Sequence, residues 1–230
     1  MALNAKKVQG NQNRVEQPDL VGVFPARLVQ LIDLGLQNQR EFKGKAKPPV
    51  QEIMLTYELV DEFMKDEDGN DVEDKPRWIS ETLPFYGLFA DKAKSTQRYL
   101  AFDPKQDFEG DFTQCVGLPI NVTLVNNQHD GKVYTNVAAI AAMRPKEAAA
   151  CPELINPSKV FDLDDPDMEV FNALPEWIQT KIKGNLNFAG SPLEQKLGGK
   201  AKKEEKEKPA PKARKAPEPQ EDDDDQDNPY

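Results

Sequence analysis

The residues in this sequence best suited to chemistry are aromatic rings set among cations. Phe42 lies in the stretch from Gln37 to Pro49 with Arg40, Lys43, Lys45 and Lys47, Trp78 follows Arg77, and Tyr134 stands shortly after Lys132. Such rings stack on nucleobases while ammonium and guanidinium groups track phosphates, each stacked base contributing roughly 1–3 kcal/mol. Tyr57, by contrast, falls on the apolar face of its segment and reads as core. Covalent chemistry has far less to work with. His129 is the only histidine and sits in a turn-forming stretch, Asn126-Asn127-Gln128-His129-Asp130-Gly131. No nucleophile elbow, phosphate-binding glycine loop, zinc-peptidase motif or dinucleotide fingerprint occurs. Cys115 and Cys151 form no CxxC pair, and with a single histidine they cannot furnish a conventional zinc site. In Asp66-Glu67-Asp68-Gly69-Asn70-Asp71 the glycine comes fourth and no glutamate closes the run at twelve, which is not EF-hand spacing. The expectation is a binding protein, not an enzyme, with no metal and no cofactor.

Charge complicates that expectation. The 230 residues carry 30 Lys+Arg against 40 Asp+Glu, a formal net charge of -10. An acidic protein that holds a polyanion must segregate its charges, because the local field decides the capture of phosphate. Acid concentrates between Asp61 and Asp74 and again between Asp162 and Glu169, whereas bases gather between Arg40 and Lys47 and at Lys92, Lys94 and Arg98. A second reading uses the acid directly: a surface that imitates phosphates would make the chain a DNA mimic or adaptor, binding DNA-processing proteins without binding DNA. No run of about 20 apolar residues offers a membrane span, and no apolar leader opens the chain, so a cytoplasmic protein without membrane contact is expected.

The elements that must position these groups follow from periodicity. Gly22 to Leu36 reads as a long strand that is apolar on both faces, with Leu28, Ile32 and Leu34 on one and Val29 and Leu31 on the other. Gln51 to Val60 alternates, pointing Ile53, Leu55, Tyr57 and Leu59 one way and Glu52, Met54, Thr56 and Glu58 the other. Arg77 to Leu83 turns Ile79 and Leu83 inward and leaves Trp78, Ser80 and Thr82 on the opposite face, after an acidic hairpin. From Leu88 to Phe102 the period becomes helical, and Asp103-Pro104 ends it. Strands over Leu118 to Val125 and Lys132 to Ala142 complete a β-β-β-α-β-β order. That order fits a mainly β fold, the OB-fold five-stranded Greek-key barrel, although other small barrels share it.

The domain organisation expected is a flexible N-terminal arm over 1–20, the OB-fold domain over 21–142, and a C-terminal helical extension over 143–197. Within the extension, Glu176 to Lys183 reads as a helix with Trp177, Ile178 and Ile182 spaced to dock on the barrel. A Lys/Glu/Pro/Ala-rich linker spans 198–220, its prolines preventing a continuous helix. The last segment, 221–230, holds six carboxylates and no base, and is expected to be a solvated, disordered acidic tail. It ends in Pro229-Tyr230, an aromatic handle on a polyanion.

On these residues the chain resembles phage-encoded OB-fold single-stranded DNA-binding proteins. The resemblance rests on the opening strand Ala26-Arg27-Leu28-Val29-Gln30-Leu31-Ile32-Asp33-Leu34-Gly35, on the strand order, and on the terminus. The tail is similar to the acidic tip of the bacterial family, which finishes in Pro-Phe; the matching residues here are Asp222, Asp223, Asp224, Asp225, Asp227, Pro229 and Tyr230, with tyrosine in place of phenylalanine. The resemblance implies a protein that coats single strands during phage DNA replication, recombination and repair, and that recruits replication or recombination proteins through its tail.

Overall fold

The computed structural model describes residues 17–198. The linker after Gly198 and the tail residues singled out above, Asp222 to Asp225, Asp227, Pro229 and Tyr230, lie outside the described residues, as does the N-terminal arm up to residue 16.

The fold is mainly β. Strands β1 (Gly22–Gln37), β2 (Val50–Lys65), β3 (Asp71–Pro84), β4 (Pro119–His129) and β5 (Lys132–Ala142) form one sheet in the order β3-β2-β1-β4-β5, every pair antiparallel, and a short β6 (Lys159–Phe161) adds to β1 in parallel. Helix α1 (Lys94–Phe102) and a 3-10 turn (Phe112–Cys115) connect β3 to β4. After β5 come α2 (Pro145–Ala150), then β6, then α3 (Met168–Ala173), α4 (Glu176–Lys183) and α5 (Pro192–Lys196).

β1 organises two cores. A bulge at Val29, where Leu28 pairs with Tyr57 but Gln30 pairs with Thr56, inserts one residue and reverses the side-chain alternation. Leu28 and Leu31 consequently face the same core with Leu55, Tyr57, Leu59, Ile120 and Val122, while Ile32 and Leu34 turn to the opposite side. The sequence pattern put Leu28 with Ile32 and Leu34; the extra residue separates them. The second core, formed by Ile32, Leu34, Met54, Phe161, Phe171, Ile178 and Ile182, is the C-terminal extension lying on the outer face of β1 and β2. α4 docks through Ile178 and Ile182, one turn apart, but Trp177 points away and is 60% exposed, contrary to the expected docking. Lys181 in the last turn of α4 reaches Glu52 of β2 at 2.6 Å. Arg27, buried on β1, donates to the carbonyls of Gly117, Cys151 and Pro152 at 2.7–3.0 Å, fastening the start of the extension.

Several boundaries move for identifiable reasons. β2 and β3 run through the acidic stretch and close only at Asp66, whose carboxylate accepts the Asp68 and Asn70 amides, with Gly69 at φ 84°. β4 continues to His129, and Asp130-Gly131 alone make the turn, both at positive φ. The helix expected from Leu88 begins at Lys94, because residues 87–93 form two successive tight turns, Ala90 to Gly87 and Ala93 to Ala90. The arm is attached at its end: Leu20 enters the first core, and Gln17 exchanges hydrogen bonds with the Lys65 backbone at 2.7 and 3.0 Å. The folded unit therefore starts ahead of residue 21.

Candidate nucleic-acid interface

The loop from β1 to β2 is a small hairpin. Phe42 and Lys45 exchange backbone hydrogen bonds at 2.9 and 3.0 Å across Lys43 and Gly44, both at positive φ. This turn leaves the Phe42 ring 57% exposed and sets the ammonium groups of Lys43 and Lys47 at 5.4 and 5.0 Å from its centroid. Both distances are within cation–π range. Arg40 and Lys45 are also exposed on this loop. An exposed ring with two ammonium groups over it brings together the aromatic surface on which a base stacks and the charge that flanking phosphates require.

Trp78 stands on the outer face of β3, opposite Glu58 of β2. Its indole N–H donates to Glu58 Oε2 at 2.9 Å, and the same carboxylate accepts from the Ile155 amide and the Asn156 side chain, each at 2.7 Å. Glu58 is buried, so three neutral donors satisfy a charge that would otherwise be costly. The consequence is a fixed orientation: one edge of the indole is tied down, and the ring remains 38% exposed. Ser80 and Thr82 continue the exposed outer face, as the alternation predicts.

Arg77, the neighbour of Trp78, points the other way. Its guanidinium donates to the Pro18 carbonyl at 2.5 Å, and burial lowers its pKa against the opposing fields of Glu62 and Asp19. It is thereby engaged with the N-terminal segment and separated from the Trp78 face. Tyr134 is 50% exposed, but so is Val133, which alternation would turn inward with Val137; this end of the β4–β5 hairpin is exposed on both faces, and on β5 only Val137 is buried.

The ends of the sheet path approach each other, and α1 bridges them. Arg98 donates Nε to Glu81 Oε1 at 2.8 Å and Nη2 to Glu81 Oε2 at 3.0 Å, while Nη2 lies 3.5 Å from the carbonyls of Val137 and Ala138. Along the sheet path β3 and β5 run in the same direction, and Trp78 and Tyr134 each lie three residues before the residue of their strand that Arg98 contacts, Glu81 and Val137. Phe42 is elsewhere: its loop leaves the opposite end of β3, where Gln37 pairs with Val50 and Glu52 with Pro84. The three rings are thus strung along the surface instead of clustered.

One ring escaped the sequence reading. Phe89, which lay in the stretch expected to be helix, is 91% exposed in the loop before α1, at the same end of the sheet as Phe42. The Phe-Tyr-Gly-Leu-Phe run that contains it was the available signal.

Other features do not suit a phosphate or a nucleophile. A cleft of about 300 Å³ has an apolar floor of Leu31, Ile53, Phe112 and Phe161, but Asp33, Asp111 and Asp162 line it and would repel an anion. The Cys115 thiol is pushed up to about 12 by burial, with Asp103 and Asp111 adding to the effect, and burial likewise raises Cys151. Both therefore stay protonated at neutral pH and are poor nucleophiles. His129 is exposed beside Asp130. Among the described residues, no group of three or more His, Cys, Asp or Glu side chains is placed to hold a metal ion, and no helix is long and apolar enough to cross a membrane. Compared with known proteins, the chain matches no family model and no curated protein.

Proposed function

We propose that this chain is a non-enzymatic, sequence-nonspecific single-stranded DNA-binding protein of phage DNA replication, recombination and repair, built on an OB-type barrel. The observation that carries the reading is the Phe42 hairpin, which holds an exposed ring with the ammonium groups of Lys43 and Lys47 at 5.4 and 5.0 Å. Trp78 and Tyr134 extend the stacking surface, and Arg40 and Lys45 supply further charge. Arg77 contributes only if its bond to Pro18 opens. The barrel reading is supported by the strand order β3-β2-β1-β4-β5 and by Arg98 spanning the two end strands. In this reading the tail from Asp222 to Tyr230 recruits replication or recombination proteins.

Titration with a poly-dT oligonucleotide at low and moderate salt tests the proposal, read by quenching of tryptophan emission and by mobility shift. Binding at micromolar protein that weakens steeply with salt is expected; its absence refutes the reading. Trp78→Ala should weaken binding by roughly 1–3 kcal/mol. The acidic β2–β3 hairpin favours the alternative, a DNA mimic or adaptor. Truncation after Gln220 separates the two: a DNA binder keeps or gains affinity for poly-dT, whereas the mimic loses its protein partner and acquires no DNA affinity.

A further inference from the structure

We propose that Phe89 is a further base-stacking residue, presented by a rigid loop, and that it continues the strand's path beyond Trp78 at the end of the sheet where Phe42 also stands. The inference rests on the single-strand-binding reading above. Phe89 is the most exposed large apolar side chain among the described residues, at 91%. Exposing an entire phenylalanine ring contributes nothing to folding, yet the loop around it is firmly built. The Phe85 amide donates to the Gln51 carbonyl at 2.7 Å, and the Phe85 ring stacks on Phe112 with centroids 6.5 Å apart. The Tyr86 amide donates to Ser95 Oγ at 3.1 Å, the Thr96 hydroxyl donates to the Gly87 carbonyl at 3.4 Å, and the Ala90 amide closes on the same carbonyl at 3.0 Å. Leu88 packs inward on the first core and anchors the loop.

Gly87 is part of the device. A Cβ at that position would lie 2.6 Å from Phe89 Cε1 and 2.9 Å from Cδ1, so the ring rests across the glycine in a seat that any side chain would occupy. The surroundings select a nucleic acid over a protein partner. Phe85 and Tyr86 on the same loop are each 39% exposed, comparable to Trp78 at 38%, so the choice rests on the charge around the rings. Lys92 and Lys94 are exposed beside it, Asp91 being the one carboxylate in the loop. α1 begins at Lys94 with no acidic residue in its first turn and no side-chain cap, which leaves the positive end of the helix uncompensated. From Trp78 to Pro84, where it ends, β3 spans about 20 Å at an ordinary strand rise. That is about six nucleotides at a stacked spacing, inside the 4–16 that an OB-fold covers.

The test uses the full chain and poly-dT, with Phe89→Ala, Phe89→Trp, Gly87→Ala and Trp78→Ala compared at two salt concentrations. Phe89→Ala should weaken binding about 5- to 150-fold with an unchanged salt slope and an unchanged unfolding temperature. Phe89→Trp should retain affinity, its added indole emission being quenched by DNA. Gly87→Ala, which keeps the ring but unseats it, should weaken binding as well. If wild-type protein and Phe89→Ala bind alike while Trp78→Ala binds more weakly, this inference is overturned and the single-strand reading survives. If wild-type protein does not bind poly-dT, both fall. If Phe89→Ala leaves DNA affinity intact but turns a wild-type dimer into a monomer in sedimentation, the ring serves a contact between copies and the inference is again overturned.

Discussion

Removing the Arg98 side chain should be among the most damaging single changes in the sheet domain. Arg98 and Glu81 form a side-on pair at 2.8 and 3.0 Å whose side chains are 4% and 9% exposed, and the Tyr57 hydroxyl donates to the same Glu81 Oε1 at 2.9 Å. Burial opposes the charge on Arg98, but the hydrogen bonds and the field of Glu81 outweigh it and raise the arginine pKa. Tyr57 is pushed well above its ordinary value, by burial first and then by the adjacent carboxylate, so it donates as a neutral phenol. Arg98→Met would leave the Glu81 carboxylate buried with one phenolic donor. Removing one partner of a buried pair costs about 3–5 kcal/mol. The 3.5 Å approaches to Val137 and Ala138 are too long to add much. At about 2–4 °C per kcal/mol for a chain of this size, the melting temperature should fall by about 6–20 °C. Urea unfolding followed by circular dichroism should show a lower midpoint with an unchanged slope. Replacing the cluster together, as Tyr57→Phe, Glu81→Leu and Arg98→Met, should recover most of the loss, because the main cost is an orphaned charge and not a missing attraction. An Arg98→Met protein melting within about 2 °C of wild type would refute this account.

Substituting Lys43, Lys45 and Lys47 together by glutamine should reduce the salt slope of poly-dT binding by about 0.7 for each phosphate that is no longer neutralised, roughly 2 in all; Phe42→Ala should weaken binding with the slope unaltered. Gly35→Ala should destabilise the protein by more than about 2 kcal/mol in urea unfolding, because Gly35 has φ 79° and an added Cβ would lie 2.6 Å from the Asn185 side chain. Asp33→Asn should unfold at higher temperature than wild type at pH 7. Burial raises the Asp33 pKa against the hydrogen bonds from Gly35 and Gln51, so the folded state holds its proton more tightly than the unfolded one. The resulting stability is absent above the raised folded value, is gained as pH falls through it, and is complete below the unfolded value near 3.8, where the two proteins should melt alike.

Strand alternation by itself determined the inward set of β2, the outward placement of Trp78, Ser80 and Thr82, and the order β-β-β-α-β-β, because a period of two fixes sides locally. It also identified the cationic company of Phe42, since that loop folds on its own turn residues. Other features depended on distant parts of the chain. The Val29 bulge exchanges the faces of Leu31 and Ile32, and a bulge is decided by how β1 meets β2, not by the residues of β1. The face of β2 opposite its inward set is buried under an extension about 100 residues further on, so Met54, Thr56 and Glu58 are buried in spite of their alternation. Arg77 and Trp78 read as one cationic and aromatic pair; successive residues of a strand point to opposite faces, and only the docked segment around Pro18 reveals what the guanidinium takes up. Phe89 was hidden by helical spacing that two tight turns interrupt, held by hydroxyls of Ser95 and Thr96 that no local pattern connects to Tyr86 and Gly87. The sequence determined which side chains could stack and which could carry charge. Their presentation was decided by long-range hydrogen bonds and packing, which act between residues that only the folded chain makes neighbours.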